Sequence, residues 1–429
     1  MRTALTAALL IVSTLSPLQH PAAHAARGDL PTVASRARRC ERIARRLDAR
    51  ERRTLARPGC DAAEGCTTRQ RRRWARLAAT FADGCVALNQ VQVLGSHNSY
   101  HIEPRPALLA ALLAFSPVFS QIEFTHLPLP TQFSEQGIRQ IEIDVFADPA
   151  GGLYARREGL AIIGENPDSG IPALSQPGFK VLHLQDIDFE TTCVTFVECL
   201  QQVKAWSDGH RGHLPIMILV EAKDDVLPPI IDFTIPVPIG VAEFTALDAE
   251  IRSVFPPEQM ITPDDLRRGR ATLDDAVRNL GWPPLGAARG KVLFCLDNGG
   301  SKRDDYRAGS PALEGRVLFT NASPGDSDAA FVEQNDPLAD PARIPDLVQA
   351  GYIVRTRADA DTVQARTGAT LQRDTALESG AQYVSSDYPV PDPDFGTGYF
   401  VKIPDGAPGR CNPVNAPAGC RSLALERPF

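Results

Sequence analysis

Long apolar runs are missing from this chain. Outside its first 25 residues nothing approaches the roughly 18 consecutive apolar residues of a membrane-spanning helix, which excludes a polytopic membrane protein. No Cys-x-x-Cys pair occurs among the nine cysteines, which argues against zinc. No Gly-x-Gly-x-x-Gly follows the first apolar run, which counts against a dinucleotide-binding, doubly wound sheet. Internal repeats and low-complexity tracts are absent too, and repeat architectures go with them. Apolar residues are not scarce. At 43% hydrophobic and 23% charged, with a net charge of -7, the 429 residues exclude a disordered chain.

The N-terminus reads as a secretory signal peptide over residues 1–25. Arg2 precedes a short apolar stretch from Ala4 to Val12, and Ala23-His24-Ala25 is a small-x-small cleavage pattern. Export to an oxidising compartment permits disulfides. By proximity Cys60/Cys66, Cys193/Cys199 and Cys411/Cys420 pair, which leaves Cys40 with Cys85, although sequence alone leaves other connectivities open. Cys295 lies in an apolar run and reads as a buried free thiol.

Charge is uneven. Residues 27–76 hold sixteen Arg against six acids, a local +10, so the remainder is strongly acidic. Residues 26–87 read as a helical, disulfide-stapled extension that either packs on the main body or meets anionic lipid. Nucleic acid is not expected as a partner of an exported chain with an acidic body.

Residues 88–400 alternate apolar runs with segments of helical spacing. The runs are Val91–Gly95, Gln140–Phe146, Phe179–His183, Pro215–Glu221, Lys291–Leu296, Val317–Thr320, Tyr352–Arg355 and Gln382–Ser385. Near-continuous apolar strands imply a parallel sheet covered on both faces. Eight of them predict an α/β fold, a (β/α)8 TIM barrel, followed by a tail over 401–429 holding Cys411 and Cys420.

A barrel places its chemistry at the C-terminal ends of its strands. Polar residues gather there: His97 and Asn98, Glu142 and Asp144, His183, then Glu221 and Lys223. Glu142 and Asp144 are two apart and share a strand face. Such a buried charged pair is costly unless a cation neutralises it. Asn98, Glu142, Asp144 and Glu221 offer only oxygen, which suits calcium before magnesium. His97 and His183 can donate hydrogen bonds or protons to a phosphoryl group.

These residues resemble a known family. Ser96-His97-Asn98-Ser99-Tyr100, Ile141-Glu142-Ile143-Asp144-Val145-Phe146, Lys180-Val181-Leu182-His183 and Leu219-Val220-Glu221-Ala222-Lys223 are similar to the X-type catalytic barrel of calcium-dependent, phosphoinositide-specific phospholipase C. Trp206–His210, Lys291–Asp297 and Val354–Ala360 resemble its secreted bacterial branch. The resemblance implies that His97 stabilises the phosphoryl transition state and that His183 is the general acid at the leaving glycerol oxygen. It implies calcium on Asn98, Glu142, Asp144 and Glu221, with Glu142 also a candidate base. Lys223, Arg355 and Arg357 are candidate phosphate ligands. The expected reaction turns phosphatidylinositol into diacylglycerol and a cyclic inositol phosphate, on a peripheral membrane substrate, by a secreted monomer. Two rival readings are a glycerophosphodiester phosphodiesterase and a non-catalytic lipid-binding barrel. The first usually carries His-Arg-Gly where this chain has His97-Asn98-Ser99.

Ala107–Phe119 is an apolar segment between the first two strands. It reads either as a helix covering the barrel or as a rim that dips into lipid.

Overall fold

The computed structural model describes residues 33–55, 68–227, 232–404 and 408–426. Ten strands form one sheet: β1 (Val91–Ser96), β2 (Gln140–Phe146), β3 (Lys180–Val181), β4 (Ile216–Ala222), β5 (Val292–Leu296), β6 (Leu318–Thr320), β7 (Phe331–Glu333), β8 (Ile353–Arg357), β9 (Tyr383–Ser386) and β10 (Gly409–Cys411). Eight run parallel in the order β6-β5-β4-β2-β1-β9-β8-β7, and a parallel bridge from Asn321 to Phe331 joins the two ends into a barrel. β5 and β6 are buried along their whole length and β4 at every residue but Glu221, which is why their sequences read as near-continuous apolar runs rather than alternating ones. Helices return the chain outside the barrel, among them Phe196–Gly209, Val241–Val254, Arg343–Ala350 and Leu371–Glu378.

The count of eight barrel strands is right, but one member differs. Phe179–His183 is not a barrel strand. Only Lys180–Val181 is extended, and it lies antiparallel on the end of β2, with Val145 opposite Val181. The chain then doubles back at once: Leu184 bridges Asp188, and Asp186 takes a left-handed φ of 69°. β2 pairs directly with β4, and the count of eight is completed elsewhere in the barrel by β7, three residues long, whose run begins at Ala329-Ala330 and is too short to stand out. Cys295 is a buried free thiol on β5, as its surroundings imply.

α1 (Val33–Leu55) and α2 (Thr68–Cys85) form a helical hairpin tied by the Cys40–Cys85 disulfide. Leu47 and Ala78 pack with Ala424, while Arg421 pairs with Asp48 at 2.8 Å and Glu51 at 2.7 Å. Asp83 meets Arg289 at 2.7 Å, just before β5 begins. The hairpin therefore covers the N-terminal end of the barrel. Cys193–Cys199 and Cys411–Cys420 are also bonded, and the expected Cys60–Cys66 pair lies outside the described residues. After residue 400 the chain stays with the barrel: β10 pairs with β1, and Glu426 is ion-paired to the buried Arg139. No described helix is long and apolar enough to cross a membrane.

Candidate active site

The site is built at the C-terminal ends of β1, β2 and β4. Past Ser96 the chain turns sharply, and Asn98 adopts a left-handed φ of 43°, a conformation that asparagine tolerates better than most residues. The Ser99 hydroxyl accepts the Glu142 amide at 2.8 Å, and Gln132 donates to the Ser99 carbonyl at 2.7 Å. These bonds pin the turn carrying His97 and Asn98 onto β2. The parallel register sets Asp144 directly beside Glu221. Glu142, Asp144 and Glu221 each bring an oxygen within 4.8 Å of the others.

Three carboxylates so close are unstable without a counter-charge. Burial, then Glu221, push the Asp144 carboxyl well above its usual range. Burial raises Glu142 to about 7, even though Arg355 opposes the shift. Lys223 approaches Asp144 at 3.5 Å and Glu221 at 3.6 Å, a partial compensation. Both carboxylate oxygens of Asp144 and the Asn98 amide oxygen are nevertheless buried with no hydrogen-bond donor. An all-oxygen, acidic set with orphaned acceptors fits a hard cation of the calcium type.

Two imidazoles adjoin this set. His97 and His183 line one cavity of about 290 Å³, together with Asn98, Phe119, Ile122 and Arg357. The His97 Nδ1 lies 2.7 Å from Asp387 Oδ1, and the His183 Nδ1 lies 2.6 Å from Asp188 Oδ2. An ionised carboxylate only accepts, so each Nδ1 carries the proton and each Nε2 remains for chemistry. The His97 Nε2 sits 3.7 Å from Glu142, linking cavity and acidic set. Burial and the Arg357 charge bring His97 down to about 3, against the pull of Asp387. Burial alone would raise Asp387, but His97 and Arg357 outweigh it and hold its carboxyl far below the ordinary range.

A family described as phosphoinositide phospholipase C, Ca2+-dependent, matches residues 86–413. The chain belongs to this family. It is a calcium-dependent phosphoinositide-specific phospholipase C. No curated protein matches it. Among solved structures, a calcium-dependent phosphoinositol-specific phospholipase C from the Gram-negative bacterium Pseudomonas sp. is 16% identical, covers 77% of this chain and 96% of its own, and has a TM-score of 0.45. A Ca2+-dependent phosphatidylinositol-specific phospholipase C from Streptomyces antibioticus is 17% identical, with coverages of 73% and 97% and a TM-score of 0.45.

In the phospholipase the two candidate phosphate-binding arginines of β8 have different surroundings. Arg357 faces the cavity, with its guanidinium 3.1 Å from Asp387 and 3.3 Å from the His97 ring. Arg355 is buried away from the cavity wall and grips Glu142 and Asn335, the latter at 2.6 Å. Lys223 stands among the carboxylates rather than on the cavity wall. Two functional residues escaped the sequence reading. Asp387 directly follows β9, so the strand-end rule applied to the last barrel strand would have found it. Asp188 follows His183 by five residues, and only the reversal after β3 brings its carboxylate back to the ring.

Proposed function

We propose that this site cleaves phosphatidylinositol by attack of the inositol 2-hydroxyl on phosphorus. The new bond joins that oxygen to phosphorus, and the phosphorus–glycerol oxygen bond breaks. The products are diacylglycerol and a cyclic inositol phosphate. The observation that carries the reading is the pair of imidazoles, each held at Nδ1 by a buried aspartate, facing one cavity beside an all-oxygen acidic cluster.

Asn98, Glu142, Asp144 and Glu221 hold calcium in this reading, and the bound ion lowers the hydroxyl's pKa and stabilises charge on the phosphoryl oxygens. Glu142 takes the hydroxyl proton, its orientation fixed by Arg355. The His97 Nε2 faces the phosphoryl group and donates to it once the phosphate charge in the cavity has brought a second proton to the ring. The His183 Nε2 gives its proton to the departing glycerol oxygen. Arg357 from the cavity wall and Lys223 from the acidic cluster bind phosphate, and Arg355 acts through Glu142.

The chain is proposed to act outside the cell as a peripheral monomer, after loss of residues 1–25. Three disulfides among the described residues support export. Residues 26–87 form the extension, 88–400 the catalytic barrel and 401–429 the tail. The apolar segment before β2 serves two ends. Leu108, Leu109 and Leu112 of the helix Pro106–Phe115 are buried against the barrel, while Phe115 is 62% exposed and Phe119 and Ile122 line the cavity. That exposed apolar edge beside the cavity suits contact with lipid.

Phosphorus NMR of the products from phosphatidylinositol and from glycerophosphoinositol, with and without calcium, tests the reading. A calcium-dependent cyclic phosphate is expected. Free glycerol phosphate would point to the phosphodiesterase reading, and lipid binding with no product would point to a non-catalytic barrel.

A further inference from the structure

His101 is fully buried just past the β1 turn, behind the cavity wall, and does not itself line the cavity. Its ring nitrogens both meet acceptors. Nδ1 lies 3.0 Å from the Phe124 carbonyl oxygen, and Nε2 lies 2.8 Å from Asp188 Oδ1. Neither partner has a proton to give. A neutral imidazole has one N–H, so one of these two contacts would set lone pair against lone pair inside the protein. Only the imidazolium satisfies both.

The same carboxylate serves the active site. Asp188 Oδ2 accepts from the His183 Nδ1 at 2.6 Å, so one buried aspartate joins His101 to His183. The two rings meet edge to face, with centroids 5.7 Å apart. We propose that His101 is held as a buried imidazolium which, through the shared Asp188, positions His183 and makes it a readier proton donor. A lone carboxylate behind His183 would hold the charged ring and resist release of its proton. A fixed cation on the other side of that carboxylate cancels much of this field.

The surrounding electrostatics agree. Burial works against charge on His101, yet Asp188, the Phe124 carbonyl and Asp387 together outweigh it and raise His101 above its ordinary range. Burial would raise Asp188, but His101 and His183 together hold it at about 2. The other charged or titratable groups felt by this trio are Tyr100, Glu103, His126, Glu221 and Asp387. None of these is hydrogen-bonded to the Asp188 carboxylate, whose side-chain partners among the described residues are His101 and His183.

The inference rests on His183 being the general acid, and its test separates the two claims. In His101→Gln, the alkaline limb of the kcat profile moves up by about one pH unit or more. Its plateau falls about tenfold, while KM stays within about twofold because residue 101 does not reach substrate. An unmoved limb would overturn the proposal. Nitrogen-15 NMR of the calcium-loaded wild-type protein at alkaline pH decides the charge state without any variant. Both His101 nitrogens should report N–H, and one bare nitrogen would overturn the proposal. If His183→Ala keeps its activity, the acid assignment fails, while the nitrogen spectrum still decides the charge on His101.

Discussion

Proton positions at single residues set what this site can do. Loss of either imidazole should leave the cation set in place and remove one proton-handling step. His97→Ala and His183→Ala are each expected to lower kcat by about 10²–10⁴-fold, with an unchanged far-ultraviolet circular dichroism spectrum. Turnover close to wild type in either variant would remove that histidine from the mechanism. Asp188 also carries a stability signature. Its folded carboxyl sits at about 2, below an ordinary value near 3.9, so its contribution is complete above about pH 4 and is lost as pH falls toward 2. The urea midpoint of wild type should therefore exceed that of Asp188→Asn by most near pH 5, and the gap should narrow on acidification. A gap independent of pH would show that the carboxylate is not ionised by its partners. At this scale much was legible. His97, Asn98, Glu142, Asp144 and Glu221 gather because strand ends converge in a barrel, and His183 joins His97 in the cavity from the turn that follows β3. Asp188 and Asp387 were not, because an aspartate's partner is decided by folding rather than by its neighbours in sequence.

Elements explain which misreadings arose. The run Phe179–His183 read as a strand because its residues through Leu182 are buried, yet burial there comes from packing against the end of β2 rather than from barrel membership. β7 escaped because three residues carry almost no period. The same scale governs the chain after residue 400, which is fastened by Glu426 to Arg139, a guanidinium only 1% exposed. Glu426 also accepts the Leu214 amide at 2.9 Å. Glu426→Ala strands a buried cation, and a loss of about 3–5 kcal/mol in unfolding free energy is expected by denaturant titration. A change below about 1 kcal/mol would mean that water reaches Arg139. The helix Pro106–Phe115 supports a functional prediction. Phe115→Ser should weaken turnover of vesicle substrate several-fold while sparing a short-chain monomeric one, because Phe115 is exposed and does not line the cavity. Equal losses on both substrates would argue against lipid contact at this edge.

For the whole molecule, the calcium set couples activity to stability. Burial holds Glu142 at about 7, above its unfolded value near 4.3, so the metal-free fold loses stability as pH rises between those values. A cation reverses the penalty by favouring the ionised carboxylate. Chelation should abolish activity, and calcium should restore it. The rise in Tm on adding calcium should be larger at pH 8 than at pH 6, and the stabilisation should reach about 2.7 kcal/mol when calcium is a hundredfold above its Kd. Rescue by zinc alone, or a calcium effect that shrinks as pH rises, would contradict the oxygen-ligand site. The molecule also keeps its charges apart. The Arg-rich hairpin covers the N-terminal end of the barrel, remote in the fold from strand ends that carry the carboxylates.

The sequence by itself determined the barrel, the oxygen donors and both cavity-lining histidines. Apolar runs and two-residue spacing are local properties, and a barrel turns strand ends into one rim. Only the tertiary structure decided which strands close the barrel and which aspartate holds each histidine. It also decided that Arg355 grips Glu142 while Arg357 faces the cavity. Those outcomes depend on register and on burial between segments far apart in the chain, where no local pattern can act.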